Sequence, residues 1–493
     1  MTNLKLANTS PQTCRCDALV VFTVPHGDAY EIRHDGLLSG ETAAALHELL
    51  NPVRRGHTPP AAVVVPAGDV VRADVVVFAL AAELTDEAIR QAAGVAVRAV
   101  ADRESVAVLS PGAGAAHTAA AAMGALLGSY RFAAYKTAAA EQTTLTDLTV
   151  LTGATRRQVV KDTVATAELT AHAVAAVRDL VNTPPGDLTP VALAEYVRRA
   201  AADTPVRVET WDVRKLERIG FGGLLAVGQG STHPPALVRM TYRPPRAKSH
   251  LALVGKGVTF DSGGLSLKSP TAMITMKSDM AGAATMAMVT LAIARLKLPV
   301  RITTYLPLAE NLPSGTAQRP GDVITSYNGT TIEVLNTDAE GRLIMADALA
   351  RACEDEPDLI VDVATLTGAQ VVALGTHVGA VMANSDKHRE QVVAAAHTAG
   401  EFMWPMPLPE ELRPSLDSKI ADIANIGERM GGMLTAGVFL QEFVAPGVPW
   451  VHLDIAGPAF NEQAPRGYTP SGGTGFAVRT LVALAAEIAE RSS

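Results

Sequence analysis

The stretch His250–Lys268, HLALVGKGVTFDSGGLSLK, decides the fold. Its opening, HLALVGKG, is almost continuously apolar, as a strand buried on both faces of a parallel sheet is, and not alternating as in a half-solvated strand. The chain then turns polar and glycine-rich, with Lys256, Asp261 and Lys268 closely spaced. Further strands of the same character are VRITTYLPLAE, DLIVDVATLTG and VPWVHLDIAG, and an Ala/Met-rich helix is expected from about Met280 to Leu296. Strands alternating with helices define an α/β sheet, and ligands bind such sheets at the loops following the carboxyl ends of their strands.

Working outward, residues up to about 135 repeat the alternation, with ALVVFTV, AAVVVPA, DVVVFAL and ESVAVLS as short strands between Ala-rich helical stretches. The segment Thr155–Asn182 has helical periodicity and stops at TPPGDLTP, where paired prolines forbid continuation. The expected organisation is a smaller N-terminal α/β domain, residues 1–165, ending in a connecting helix, and a larger C-terminal α/β domain, residues 166–493. The sheet of the larger one is expected to be mixed, largely parallel and flanked by helices.

Composition narrows the function. Apolar residues make up 48% of 493 and charged residues 19%, enough for a sizeable core. Fifty acids against 42 bases give a net charge of -8, with no basic run suited to nucleic acid or an anionic membrane. Cys14, Cys16 and Cys353 are too few for a disulfide framework and read as reduced thiols. No leader pattern is visible at the N-terminus, and no run of about 18 apolar residues occurs. A cytoplasmic protein with small polar or peptide partners is expected.

Chemistry concentrates at four places. Lys256, Asp261 and Lys268 follow one strand; Asp279, in MKSDMAGAAT, precedes a helix; Thr365 and Gly368, in ATLTG, follow another strand. The fourth, VLNTDAEGRL, carries Asp338, Glu340 and Arg342 at successive spacings of two, which an extended chain would point to one side. Adjacent carboxylates need a proton or a cation between them. Asp261, Asp279, Asp338 and Glu340 would balance two divalent cations, as a two-metal site requires. Beside such cations Lys256 would lose its proton and become a nitrogen ligand, Lys268 would stabilise an oxyanion, and Arg342 would hold a planar anion. Taken singly, each residue also has an ordinary structural account. The lysines are surface cations, Asp261 and Asp279 are turn or cap residues, Asp338 and Arg342 form an ion pair, Glu340 is a first-turn helix acid, and Thr365 and Gly368 are turn residues.

NTDAEGRL together with GKGVTFDSGG resembles the leucyl aminopeptidases, the cytosolic peptidase family M17. The likeness extends through ENLPSGTAQRPGDVI, SKIADIANIG and HLDIAGPAF followed by GGTGFAVRTL, about residues 170 to 485, and is weaker earlier, where GALLGSYRFAAYKT is similar to the end of that family's N-terminal domain. The resemblance implies a catalytic C-terminal domain with metal ligands at Lys256, Asp261, Asp279, Asp338 and Glu340, and catalytic roles for Lys268 and Arg342. Arg342 would bind bicarbonate, and Met276, Asn336, Thr365 and Gly368 would line the substrate pocket. It implies hydrolysis of N-terminal residues, leucine and similar ones preferred, from peptides; two divalent metal ions per subunit, Mn or Zn with Mg or Co as further options; and a homohexamer in the cytoplasm. Two other classes compete: a DNA-binding accessory factor on the same scaffold, which the acidic balance opposes, and a two-metal phosphoesterase, whose usual histidines are missing from these motifs. HELLN at His47–Asn51 lacks the second histidine of a zincin helix, and neither GKG nor GAGAAH completes a phosphate-binding or dinucleotide fingerprint.

Overall fold

The computed structural model describes residues 2–27, 29–51, 58–137 and 144–491. The chain divides into two compact units, one formed by Met1–Ala175 with Glu462–Ser471, the other by Ala176–Asn461 with Gly472–Ser493.

The first unit contains a seven-stranded sheet in the order Asn3–Ala7, Asp147–Leu151, Ser105–Leu109, Cys16–His26, Ala73–Leu80, Ala61–Pro66, with Ala29–Arg33 paired to Cys16–His26. Its central pairings are parallel, and the Ala61–Pro66 edge and the Ala29–Arg33 hairpin strand are antiparallel. The four strands read from the sequence are all present. Asn3–Ala7, Ala29–Arg33 and Asp147–Leu151 are additional; they are five residues each and mix polar with apolar positions, too short for periodicity to single out. His47 and Glu48 lie on the helix Gly40–Leu50, outside its buried stripe of Thr42, Leu46 and Leu50, as helix-surface residues do. The helix Gln158–Asn182 begins three residues later than its periodicity suggested and ends where the prolines begin.

The second unit is built on a nine-stranded sheet ordered Met403–Pro405, Gly379–Ala383, Trp450–Asp454, Leu359–Ala364, His250–Gly255, Arg301–Asn311, Ala236–Tyr242, Arg207–Trp211, with Gly257–Asp261 also paired to Arg301–Asn311. Its central strands run parallel and both ends include antiparallel pairs, giving the mixed, largely parallel sheet expected. Every residue of His250–Gly255 and Leu359–Ala364 is buried, the physical reason their sequences do not alternate. The Ala/Met-rich helix spans Ala281–Arg295 and is buried through Ala294. Helix Gly341–Cys353 is nearly as buried, and its Leu343, Ile344 and Leu349 join Trp450, Tyr305 and Val254 in one core. Burying one such leucine contributes roughly 2 kcal/mol. No helix among the described residues is long and apolar enough to cross a membrane.

Candidate active site

The sheet delivers the site. His250–Gly255 ends one residue before Lys256, and Gly257–Asp261 ends at Asp261 itself. Met276 opens a short 3-10 turn, Met276–Ser278, that sets Asp279 just ahead of the helix Ala281–Arg295. Glu340 occupies the residue before the helix Gly341–Cys353 without capping it. Thr365 follows the strand Leu359–Ala364, and Gly368 opens the helix Gly368–Leu374, where an added Cβ would meet nothing within 4 Å.

Lys256 Nζ lies 2.7 Å from each carboxylate oxygen of Asp279, 2.9 Å from Glu340 Oε1, and donates to the Thr365 carbonyl at 3.1 Å. Lys268 Nζ lies 2.9 Å from Asp261 Oδ2 and also pairs with Asp338 Oδ1. One oxygen each from Asp261, Asp338 and Glu340 fall within 4.8 Å of one another. The Thr365 hydroxyl donates to Asp279 Oδ1 at 2.7 Å, and Asn336 Oδ1 accepts the Asp338 amide at 2.9 Å. Gly341 leaves Lys256 its place in this crowding, since a Cβ there would stand 2.4 Å from Lys256 Cε. Gly263, at φ +86°, turns the chain so that its amide donates to Asp261 Oδ1 at 2.8 Å.

Two ammonium groups are too few for four carboxylates in so dry a place. Burial pushes Asp279 well above the ordinary carboxylate range, against the pull of Lys256 and with Glu340 and Asp261 adding to it. Asp261 and Asp338 rise for the same first reason, with neighbouring acids contributing. Burial works to lower the Lys256 and Lys268 ammoniums, but the surrounding carboxylates outweigh it and hold both upward. Acting as a nitrogen ligand would require a cation to displace the Lys256 proton. Glu340 Oε2 is buried without a hydrogen-bond partner, a lone pair that a cation would satisfy. Burial brings Arg342 down to about 10, opposed by Glu340 and Asp454.

Two expectations are corrected. Residues 336–342 are not extended: the Ala339 amide bonds back to the Asn336 carbonyl, and the helix starts at Gly341. Asp338 and Glu340 still converge, while Arg342 donates from Nη1 to the Asn425 carbonyl at 2.9 Å, its guanidinium 5.9 Å from the centre of the Phe439 ring. The suggested Asp338–Arg342 ion pair is replaced by the Asp338–Lys268 contact. Arg342 Nε is buried without a hydrogen-bond partner.

Residues that support the site escaped the sequence reading. Asn311, buried at the end of its strand, donates to Asp261 Oδ1 and to the Thr337 carbonyl. Asn425 accepts from the Leu335 and Asn336 amides and donates to the Asn336 carbonyl, holding the turn from outside. Asn311 and Asn425 lie in ENLPSGTAQRPGDVI and SKIADIANIG, two stretches that carry the family resemblance, and a polar residue closing an apolar strand is a further local signal for Asn311.

Lysines and acids gathered at the carboxyl ends of a mixed sheet, in a chain that also carries a second α/β unit, fit the class of the aminopeptidases. The chain belongs to the cytosol aminopeptidase family: the family's catalytic domain matches residues 175–482 and its N-terminal domain residues 79–139. A probable cytosol aminopeptidase of Streptomyces avermitilis is 48% identical over 98% of this chain and 98% of its own length. The early part, weak in the sequence comparison by motif, is therefore of the same family. Among solved structures, the bottromycin maturation enzyme BotP in complex with Mn is 40% identical, covering 96% of this chain and 100% of that one at a TM-score of 0.84. A tomato leucine aminopeptidase variant is 29% identical, covering 99% and 97%, at a TM-score of 0.86.

Proposed function

We propose that this protein is a metallo-aminopeptidase that releases N-terminal amino acids, leucine and similar residues preferred, from peptides in the cytoplasm. The observation that carries the reading is the convergence of Asp261, Asp338 and Glu340 oxygens within 4.8 Å, flanked by the Lys256–Asp279 pair. Lys256, Asp261, Asp279, Asp338 and Glu340 would hold two divalent cations, and the relative solved with Mn supports Mn, with Zn, Mg and Co also suited to an oxygen-rich set with one amine. Bound there, the cations would supply acidification of a water and polarisation of the first peptide carbonyl.

The protein's own groups set the rest. Lys268, only partly exposed, would stabilise the oxyanion that forms at that carbonyl. Arg342 would hold bicarbonate, whose chemistry is proton transfer between water and leaving amine. Met276, Asn336, Thr365 and Gly368 would line the pocket for the terminal side chain, Gly368 leaving room by having none. The family resemblance further supports a homohexamer. Leucine-p-nitroanilide assayed beside p-nitrophenyl phosphate, with and without added Mn, tests the reading. Metal-dependent release from the anilide alone is expected, and release from the phosphate alone would replace the reading with a phosphoesterase.

A further inference from the structure

Asp454 closes the strand Trp450–Asp454, pairs in register with Ala364 and is fully buried. Its Oδ1 accepts the backbone amides of Leu366 at 3.1 Å and Ala456 at 3.2 Å, and its Oδ2 accepts the Thr367 hydroxyl at 2.8 Å. One carboxylate therefore ties together the loops that leave two neighbouring parallel strands. The first of these loops begins with Thr365, whose hydroxyl reaches Asp279 and whose carbonyl receives Lys256. Thr367 also accepts the Gln370 amide at 3.0 Å, and the buried Gln370 side chain donates to the Val378 carbonyl at 2.6 Å and accepts the Gly457 amide at 2.7 Å. The latch spans both sides of Gly368. A buried carboxylate is tolerated only where hydrogen bonds offset its lost hydration, and three donors aimed from two loops do so here.

We propose that Asp454 is a positioning residue which, through the Leu366 amide and the Thr367 hydroxyl, fixes Thr365 and with it the Lys256–Asp279 half of the site and the start of the helix at Gly368. Its effect on turnover rests on the aminopeptidase reading; its effect on the loop does not.

Three variants of the full chain test it: Asp454→Asn, Thr367→Val and Thr367→Ser. Hydrogen exchange by mass spectrometry should rise about tenfold in the peptide covering residues 364–374 of Asp454→Asn while the peptide covering 341–353 keeps its wild-type rate. Mn affinity by calorimetry should weaken about tenfold, the usual consequence of removing a group that orients ligands. On leucine-p-nitroanilide, kcat should fall more than KM rises. Thr367→Val should move the same readouts in the same direction, and Thr367→Ser, which keeps the hydroxyl, should restore them. Wild-type exchange and Mn affinity in Asp454→Asn would overturn the proposal, as would a uniform rise in exchange over the whole chain. Should Asp454→Asn not fold, the Val and Ser variants of Thr367 decide on the same measurements, and equal behaviour of the two overturns it. An inactive wild type would instead sink the aminopeptidase reading, leaving exchange and Mn binding to judge Asp454.

Discussion

Asn311 Nδ2 donates to Asp261 Oδ1 at 2.8 Å, and the same nitrogen reaches the Thr337 carbonyl at 3.0 Å. One buried amide thus joins the end of the strand Gly257–Asp261 to the turn that presents Asp338. Asn311→Leu removes a donor from a buried acid and an acceptor's partner together. Stability should fall by about 1–3 kcal/mol, read as a lower midpoint in urea unfolding. Turnover should fall with it, because the two halves of the carboxylate cluster lose their common tie. An unchanged midpoint would show that the Gly263 amide on Oδ1 and Lys268 on Oδ2 suffice for Asp261.

Gly341→Ala separates helix stability from site geometry. By propensity alone alanine should improve the helix Gly341–Cys353 by up to about 1 kcal/mol. The new Cβ, however, would stand 2.4 Å from Lys256 Cε and 2.7 Å from its Nζ, so the flexible lysine end must move off Asp279 and Glu340. Circular dichroism should show a folded protein with little change in thermal midpoint, while anilide hydrolysis drops at least about tenfold. Full activity would mean that Lys256 has no fixed place in the chemistry.

Lys268→Ala and Glu340→Ala should fail in different ways. Lys268 pairs with Asp261 and Asp338 but would not itself hold a cation, so its loss should leave metal content intact and lower turnover by one or more orders of magnitude, as lost oxyanion donors do. Glu340 has one oxygen on Lys256 and the other buried without a hydrogen-bond partner, so its loss should abolish both metal content and hydrolysis with the fold retained. Metal analysis of the two purified variants distinguishes them; equal metal content would assign Glu340 a purely structural place.

His250 gives stability a pH dependence separate from the site. Its Nε2 meets the Thr303 hydroxyl at 2.9 Å, its Nδ1 is buried without a partner, and burial beside Arg301 lowers it from 6.5 to about 4. A histidine held neutral in the folded state binds fewer protons than in the unfolded one. Its contribution is therefore complete above pH 6.5 and is lost as pH falls from there toward 4. The double variant His250→Phe, Thr303→Val removes imidazole and partner together and should flatten the fall of unfolding free energy over that window. Parallel pH profiles for wild type and variant would assign the loss to other groups.

The strands and the ligand candidates were legible because each announces itself locally. HLALVGKG is apolar without alternation, and Asp338, Glu340 and Arg342 crowd one short segment. What was not legible depends on register. Asp454 is the last residue of a strand read correctly from VPWVHLDIAG, but only its pairing opposite Ala364 places its carboxylate beneath Leu366 and Thr367. Asn425 likewise reaches Arg342 and Asn336 because the strand Ile423–Ala424 pairs with Thr331–Glu333. The turn at Asn336–Ala339 escaped too, since a helix start overrides the two-residue period of an extended chain.

On the proposed function, the four carboxylates gather to hold divalent cations, and hydrolysis depends on those cations. Exhaustive chelation, followed by stepwise return of Mn while leucine-p-nitroanilide hydrolysis is followed, tests it most directly. Activity should vanish with the metal and return as about two equivalents per chain are restored, the stoichiometry of a two-metal site. Undiminished hydrolysis by rigorously metal-free protein would contradict it.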